Sequence, residues 1–343
     1  AGAEEGIAVG VAALPGAWTA AGPPPAIAKV AMEVQVRRPV GLLFSGGWSV
    51  YQGVLAKVAG LPAVRAMLCK ADEILGFDVL ALCTNGPKSK LQEPRYEVPL
   101  SFIAGLAGLE KLRAEHADAA ARFQAAAGFG ASGELPALCA AGVLTFEDGL
   151  RLAQAVGQEV QAAGVQHKQC TLIVSGLNKS RLSDLCVQAA EKGGIAMLSG
   201  YFSPTSFLCA GTKAAMLVLK DLADKAGAST AQLSTIACHC PLMFPAEEQL
   251  TKVLDELMPR MSPPKHVVYM SETATPVQPN TPVPHIVELL KRQVTSPVLW
   301  HPLVKAMIAD GVKTFYGFGP RYLANIMRQI DENAQKNMTN VQV

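Results

Sequence analysis

A change from strand to helix and back to strand is readable in residues 170–200, CTLIVSGLNKSRLSDLCVQAAEKGGIAMLSG. The run from residue 170 to 175 is short and apolar, as in a buried strand, and the next fifteen residues have helical spacing. The same alternation continues downstream, so that the predicted elements are Cys170–Ser175, Ser180–Lys192, Ile195–Gly200, Ser206–Gly211, Lys213–Ala226 and Gln232–Ala237. Their order predicts a ferredoxin-like subdomain over residues 170–237.

Strands and helices also alternate on both sides of this subdomain. An apolar run at 40–44 enters a turn, Ser45-Gly46-Gly47, and is predicted to be a buried strand. Further strands are predicted at 267–271 and 314–318, with helices around them. Residues 39–169 and 238–331 are therefore predicted to form one parallel-sheet α/β domain that the subdomain interrupts.

The two ends of the chain differ from its body. Residues 1–38 are a low-complexity extension rich in Gly, Ala and Pro, with too few large apolar residues to build a core. We expect this extension to attach the protein to a partner, with Ile7, Leu14, Trp18 and Ile27 as anchors. Residues 332–343 are interpreted as a polar tail. Because the sequence begins at Ala1, we expect that a targeting segment has been removed or that the sequence is trimmed.

Composition excludes several classes of function. The net charge is only +2, and the 30 basic residues form no stripe along the sequence, so nucleic acid is not an expected partner. Residues 6–28 lack charge but are mostly Gly and Ala with several prolines, so no membrane span is predicted. No cofactor-binding motif is found, and no cofactor is expected.

The eight cysteines include no CxxC pair and lie mainly in apolar runs. Buried free thiols in a reducing compartment are the expected state. Cys238-His239-Cys240 is a candidate metal motif, but alternation on a strand would point the histidine away from both cysteines. No second ligand pair has suitable spacing, so no metal site is predicted.

Several longer motifs occur in order along residues 40–331. They are ADEILGFD at 71–78, GPKSKL at 86–91, AGVLTFEDGL at 141–150, HCPLM at 239–243, QVTSPV at 293–298 and FGP at 318–320. On these motifs the chain resembles the malonyl-CoA:acyl-carrier-protein transacylases of type II fatty-acid synthesis. The resemblance implies an α/β-hydrolase-like acyltransferase domain with an inserted ferredoxin-like subdomain.

The resemblance also implies a two-step acyl transfer by a serine on a sharp strand-to-helix turn, written Gly-His-Ser-Leu-Gly-Glu in the family. Here Gly133-Glu134 matches the end of that motif. Counting back places Ser132 at the leucine, Ala131 at the nucleophilic serine and Gly130 at the histidine. Ser132 is a poor substitute, because a one-residue slip would put Glu134 where the turn needs a small residue.

Two further family positions have changed and two are retained. Val156 stands at the arginine that pairs with the malonyl carboxylate, and Gly47 stands at the glutamine beside the oxyanion. Arg151 lies five residues before Val156, a rotation of about 140° along a helix, and is not expected to replace that arginine. His239 matches the catalytic base, and Gln293 matches the residue whose backbone carbonyl orients it.

We therefore predict a catalytically inactive member of this family, an accessory subunit of a larger organellar complex, with protein subunits as partners and a plastid favoured over a mitochondrion. This prediction is compatible with a complex close to a membrane, although the chain itself is not expected to cross one. Two alternatives stay open. One is residual acyl transfer or hydrolysis, through Ser132 or through His239 and water. The other is a module that binds acyl carrier protein or CoA without turning it over.

Overall fold

The computed structural model describes residues 39–47 and 49–343. The ten strands of this part are β1 Val40–Phe44, β2 Phe123–Gly128, β3 Gln169–Ser175, β4 Ala196–Ser203, β5 Ser206–Thr212, β6 Ser229–Ser234, β7 Val267–Tyr269, β8 Pro276–Val277, β9 Thr314–Phe318 and β10 Met338–Val341. Its first seven helices are α1 Pro62–Leu75, α2 Val79–Asn85, α3 Lys88–Leu91, α4 Pro94–Glu115, α5 Ala117–Ala121, α6 Gly130–Ala140 and α7 Phe146–Gly164. The others are α8 Lys179–Gly193, α9 Lys213–Lys225, α10 Phe244–Leu257, α11 Val283–Lys291, α12 Trp300–Ala309, α13 Tyr322–Ile330 and α14 Glu332–Lys336.

A six-stranded sheet with the order β10-β9-β1-β2-β7-β8 forms the centre of the larger domain. Its strands are parallel except for β8, which pairs antiparallel with β7. The strand β1 is buried along its whole length, because helices cover a parallel sheet on both faces. The parallel α/β domain predicted from the sequence is confirmed.

Helices α4 and α7 pack against each other, and α4 also packs against β9 and β10 of the sheet. The middle of α4, residues 98–109, is buried without interruption, as expected for a helix surrounded by protein. At the start of α7, the Oγ1 atom of Thr145 accepts a hydrogen bond from the backbone N–H of Asp148 at 3.0 Å. Thr145 is thus the N-cap of α7 and sets where the helix begins.

The inserted subdomain is a four-stranded antiparallel sheet with the order β4-β5-β3-β6, covered on one face by α8 and α9. Every second side chain of β3 faces the helices. These are Cys170, Leu172 and Val174, which pack with Leu182 and Leu219. This strand order and the βαββαβ sequence confirm the ferredoxin-like arrangement. Its elements span residues 169–234, so the last strand ends three residues earlier than predicted.

The C-terminal residues differ from the predicted polar tail. Residues 332–336 form α14, and 338–341 form β10, which pairs with β9 at the edge of the main sheet. Val341 and Val343 are buried, and Tyr51 donates its hydroxyl hydrogen to the carbonyl of Val343 at 2.9 Å. The sequence prediction missed β10 because alternation over four residues is too short a signal. This segment is ordered by the protein's own sheet.

Residues 238–240 also differ from the prediction, because they lie in a loop after β6 and not on a strand. The φ angle of His239 is 60°, a left-handed conformation that interrupts extended backbone. All eight cysteines are free, and five of them are buried. Within residues 39–47 and 49–343, no helix is long and apolar enough to cross a membrane. Trp18, Ile7, Leu14 and Ile27, the predicted partner anchors, lie outside the described residues.

Candidate functional site

The turn from β2 into α6 forms one wall of the candidate site. Gly130 opens α6 with a φ angle of 61°, a conformation that glycine adopts without strain. A Cβ atom on this residue would lie 3.1 Å from Nε2 of His239. Gly130 is therefore the residue of this turn that faces the imidazole, and it contributes no side chain.

His239 is held from the opposite side by the loop after α11. Its Nδ1 atom lies 2.9 Å from the backbone carbonyl oxygen of Gln293, and its backbone N–H donates to the carbonyl of Val294 at 2.8 Å. Because a carbonyl only accepts, Nδ1 carries the hydrogen and Nε2 has a free lone pair directed at Gly130. Burial lowers the pKa of His239, and hydrogen bonds from the imidazole to the backbone of Gln293 and Ser296 oppose this effect. The imidazole is thus neutral near pH 7, in the state that a general base requires.

The residue that faces His239 lies one position before Ala131, the nucleophile position in the register counted from Gly133-Glu134. That register puts Ala131 opposite His239, whereas the structure puts Gly130 there. The reason is conformational. Of Gly130 and Ala131, only the glycine adopts a positive φ at little cost. Neither residue has a hydroxyl or a thiol, so the missing nucleophile does not depend on the register.

Ser132, the predicted substitute, lies inside the first turns of α6 and is 6% exposed. Among the described residues, no hydrogen bond joins its hydroxyl to His239. Serine at this position therefore lacks the contact with a base that activates a serine nucleophile.

The loop after β1 packs against this turn backbone to backbone. A Cβ atom on Gly46 would lie 1.7 Å from the carbonyl oxygen of Phe129, so only glycine fits there. At Gly47 a Cβ atom would lie 3.6 Å from the Oε1 atom of Glu97, and the carbonyl of Gly47 accepts a 3.4 Å hydrogen bond from Tyr322. The predicted oxyanion position therefore lies beside the turn, with a carboxylate nearby.

Val156 lies on α7 and is 5% exposed. It lines a small apolar cavity with five leucines, together with Gln293 and Val294; the leucines are Leu135, Leu152, Leu250, Leu254 and Leu290. The cavity shares Gln293 and Val294 with the support of His239, so it adjoins the candidate site. Arg151 points away from this cavity. Its guanidinium lies 3.8 Å from the Oδ1 atom of Asp148, and its side chain is 54% exposed. This agrees with the helical rotation expected from the sequence.

Two buried carboxyl groups near Gln293 were missed in the sequence, where Glu134 served only to set the register. Glu134 is fully buried, and its Oε1 atom accepts a 2.5 Å hydrogen bond from the side-chain amide of Gln293. Its Oε2 atom accepts the backbone N–H of Ser271 at 2.7 Å. Glu272 follows Ser271, and burial raises the pKa of its carboxyl to about 7. The signal available in the sequence was Glu272 itself, a charged residue directly after the predicted strand 267–271.

Comparison with known proteins gives a consistent result. No protein-family model matches the chain. The mitochondrial malonyl-CoA-acyl carrier protein transacylase of Mus musculus is 29% identical over 316 residues, covering 88% of this chain and 81% of the relative. The malonyl-CoA-acyl carrier protein transacylase of Coxiella burnetii superposes with a TM-score of 0.81 at 25% identity, covering 89% and 94% of the two chains.

A third similar structure is a malonyl transacylase solved in complex with the acyl carrier protein of a type II polyketide synthase. It has a TM-score of 0.79 and 26% identity, and the match covers 89% of this chain and 96% of that one. The relatives and structural neighbours of this chain are thus malonyl-CoA:acyl carrier protein transacylases, and it has the mixed α/β acyltransferase fold of those enzymes.

Proposed function

We propose that this chain is a non-catalytic relative of the malonyl-CoA:acyl carrier protein transacylases that works as an accessory protein subunit. The observation that carries the proposal is Gly130, which faces Nε2 of His239 without a side chain. Its neighbour Ala131 has no nucleophilic atom either. Removing the nucleophile of a catalytic triad reduces turnover on the order of 10⁶-fold. His239 is then a base without a serine to deprotonate.

The surroundings of Val156 support the same conclusion. The cavity that Val156 lines is apolar apart from Gln293, and Gln293 donates its amide hydrogen to Glu134. A malonyl carboxylate bound there would be buried without a counter-charge and close to another carboxyl group. Such an unpaired charge costs roughly 3–5 kcal/mol. Malonyl groups are therefore disfavoured independently of the missing serine.

A second candidate function is hydrolysis of an acyl thioester by water. The observation that favours it is the neutral imidazole of His239, whose Nε2 lone pair is directed at the space above Gly130. A water in that space would give up a proton to Nε2 while its oxygen attacks the thioester carbonyl, and the thiolate would leave.

The relatives support a proposal on partners and location. Because a similar transacylase was solved with an acyl carrier protein, such a carrier is the first partner to test, alongside the subunits of a larger assembly. The mouse relative is named as mitochondrial, and this favours a mitochondrion over the plastid expected from the sequence.

The experiment is a transfer assay followed by a partner assay. The full chain is incubated with malonyl-CoA or acetyl-CoA and acyl carrier protein, and intact mass spectrometry records acyl groups on both proteins. We expect no acyl-enzyme and no acylated carrier above background. A malonyl ester on Ser132 would overturn the proposal, and release of free CoA that depends on His239 would favour hydrolysis. Native electrophoresis of tagged protein should show one stoichiometric complex; a monomer alone would contradict the accessory role.

A further inference from the structure

Glu134 links three parts of the molecule behind His239. It lies on α6, and its two oxygens accept hydrogen bonds from the backbone of Ser271, after β7, and from the side chain of Gln293, after α11. The carbonyl of Gln293 in turn accepts the Nδ1 hydrogen of His239. The orientation of the imidazole therefore depends on a residue that Glu134 holds in place.

Glu272 lies beside this link, and the hydrogen-bonding capacity of its carboxyl group is unused by other residues. Both carboxylate oxygens are buried, and neither has a hydrogen-bond partner within residues 39–47 and 49–343. Glu272 directly follows Ser271, whose backbone N–H donates to Glu134, so the two carboxyl groups lie close together. Burial raises the pKa of Glu134, and a charge on Glu272 raises it further. A buried carboxylate without a partner costs several kcal/mol, whereas the protonated form costs much less. The surroundings therefore favour a proton at this position.

Few charged groups face the pair. Arg292, at the end of α11, favours the charged form of Glu272, but its guanidinium Nε donates to the carbonyl of Glu288 at 3.5 Å and the residue is exposed. Burial lowers the pKa of His239, so its imidazole adds no positive charge near pH 7. Within the described part of the chain, the elements around the pair thus offer one exposed cation against two carboxyl groups.

We propose that Glu134 and Glu272 hold one proton between them, and that this proton keeps α6 attached to the loop of Gln293 and so fixes the orientation of His239. Glu134 accepts two N–H hydrogen bonds from other segments and Glu272 accepts none from another residue, so the proton resides on Glu272. Its release to solvent leaves two buried negative charges together, which repel and weaken the link. This inference concerns a proton-sensitive contact and does not depend on whether acyl groups are transferred.

The direction of the pH effect follows from linkage. Burial raises the pKa of Glu272 from 4.5 to about 7, so the folded state binds more protons than the unfolded state between these values. The contribution to stability is fully present below about pH 4.5 and is lost as the pH rises through about 7. The unfolding equilibrium constant should therefore increase on the order of 100-fold across this interval.

The test uses the full chain labelled with ¹³C in glutamate carboxyls and ¹⁵N in histidine rings. The variants are Glu272→Gln and, as a matched control, Glu248→Gln on the exposed face of α10. We expect one carboxyl resonance to titrate near pH 7 in the wild type and the control and to be missing in Glu272→Gln. The His239 ring signal should follow the same midpoint, and in Glu272→Gln the denaturant titrations should lose the part of their pH dependence between about pH 4.5 and 7 that Glu272 contributes.

Two outcomes would overturn the inference. One is a wild-type spectrum without a glutamate carboxyl that titrates above about pH 6. The other is a titrating Glu272 with an unchanged His239 signal, which would remove the link between the proton and the imidazole. Both are read on the wild-type protein, so an unstable variant leaves the inference testable.

Discussion

The Nε2 atom of His239 lies 3.1 Å from the point where a Cβ atom on Gly130 would be. The Nδ1 atom of the same ring is occupied by the carbonyl of Gln293, so the free lone pair faces Gly130. A hydroxyl introduced at residue 130 would thus meet a neutral base, whereas the side chain of Ala131 starts one residue further along α6. This relationship makes the missing nucleophile testable by substitution.

Gly130→Ser should react with a fluorophosphonate probe, whereas Ala131→Ser should remain at background. The serine Oγ at residue 130 would be in reach of Nε2 after a shift of a few tenths of an ångström. We expect Gly130→Ser to lose about 1–2 kcal/mol of stability, because a non-glycine residue at a φ of 61° is strained. Peptide mass spectrometry after labelling measures the result. Labelling of Ala131→Ser alone would show that the register counted from Gly133-Glu134 is correct.

Val156→Arg should destabilise the protein by roughly 3 kcal/mol, because it places an unpaired guanidinium among leucines. The matched control is Val165→Arg at the end of the same helix, where the residue is 80% exposed and the change should be within about 0.5 kcal/mol. Chemical denaturation of both variants measures the difference. A stable Val156→Arg protein that binds malonyl-CoA would instead show that the predicted arginine position still has room for its carboxylate partner.

Val341→Ala should cost roughly 1–3 kcal/mol, since it removes buried methyl groups from β10 at the edge of the main sheet. Thr339→Ala on the same strand is exposed and should have little effect. Thermal unfolding of the two proteins provides the comparison. Equal melting temperatures would mean that β10 contributes no stability, as for the tail expected from the sequence.

Deletion of residues 1–38 should release the protein from its assembly while Pro39–Val343, which forms one compact unit, keeps its secondary structure and melting temperature. The reason is the composition of this extension, which is too poor in large apolar residues to build a core but offers Trp18 as an anchor. Co-purification with and without the extension, and with Trp18→Ala, is the measurement. Full retention of the truncated protein would contradict attachment through this segment.

The sequence by itself determined the alternation of strands and helices, and with it the inserted subdomain. These features depend on local hydrophobic spacing, which is readable for Cys170–Ser175 or Thr314–Phe318 without knowledge of their neighbours. The N-cap at Thr145 is equally local. The absence of a serine from residues 130 and 131 was also evident, because it depends only on which residues are present.

Only the tertiary structure decided which atoms face each other. That Gly130 and not Ala131 lies opposite His239 depends on a single backbone angle, and residue order does not specify it. Glu134 is 159 positions from Gln293 in the sequence, and Gln293 is 54 positions from His239, yet hydrogen bonds link the three. The pKa of Glu272 likewise depends on its burial in the folded chain. The strand β10 is equally non-local, because four residues at the end of the chain form a strand only where β9 offers hydrogen bonds.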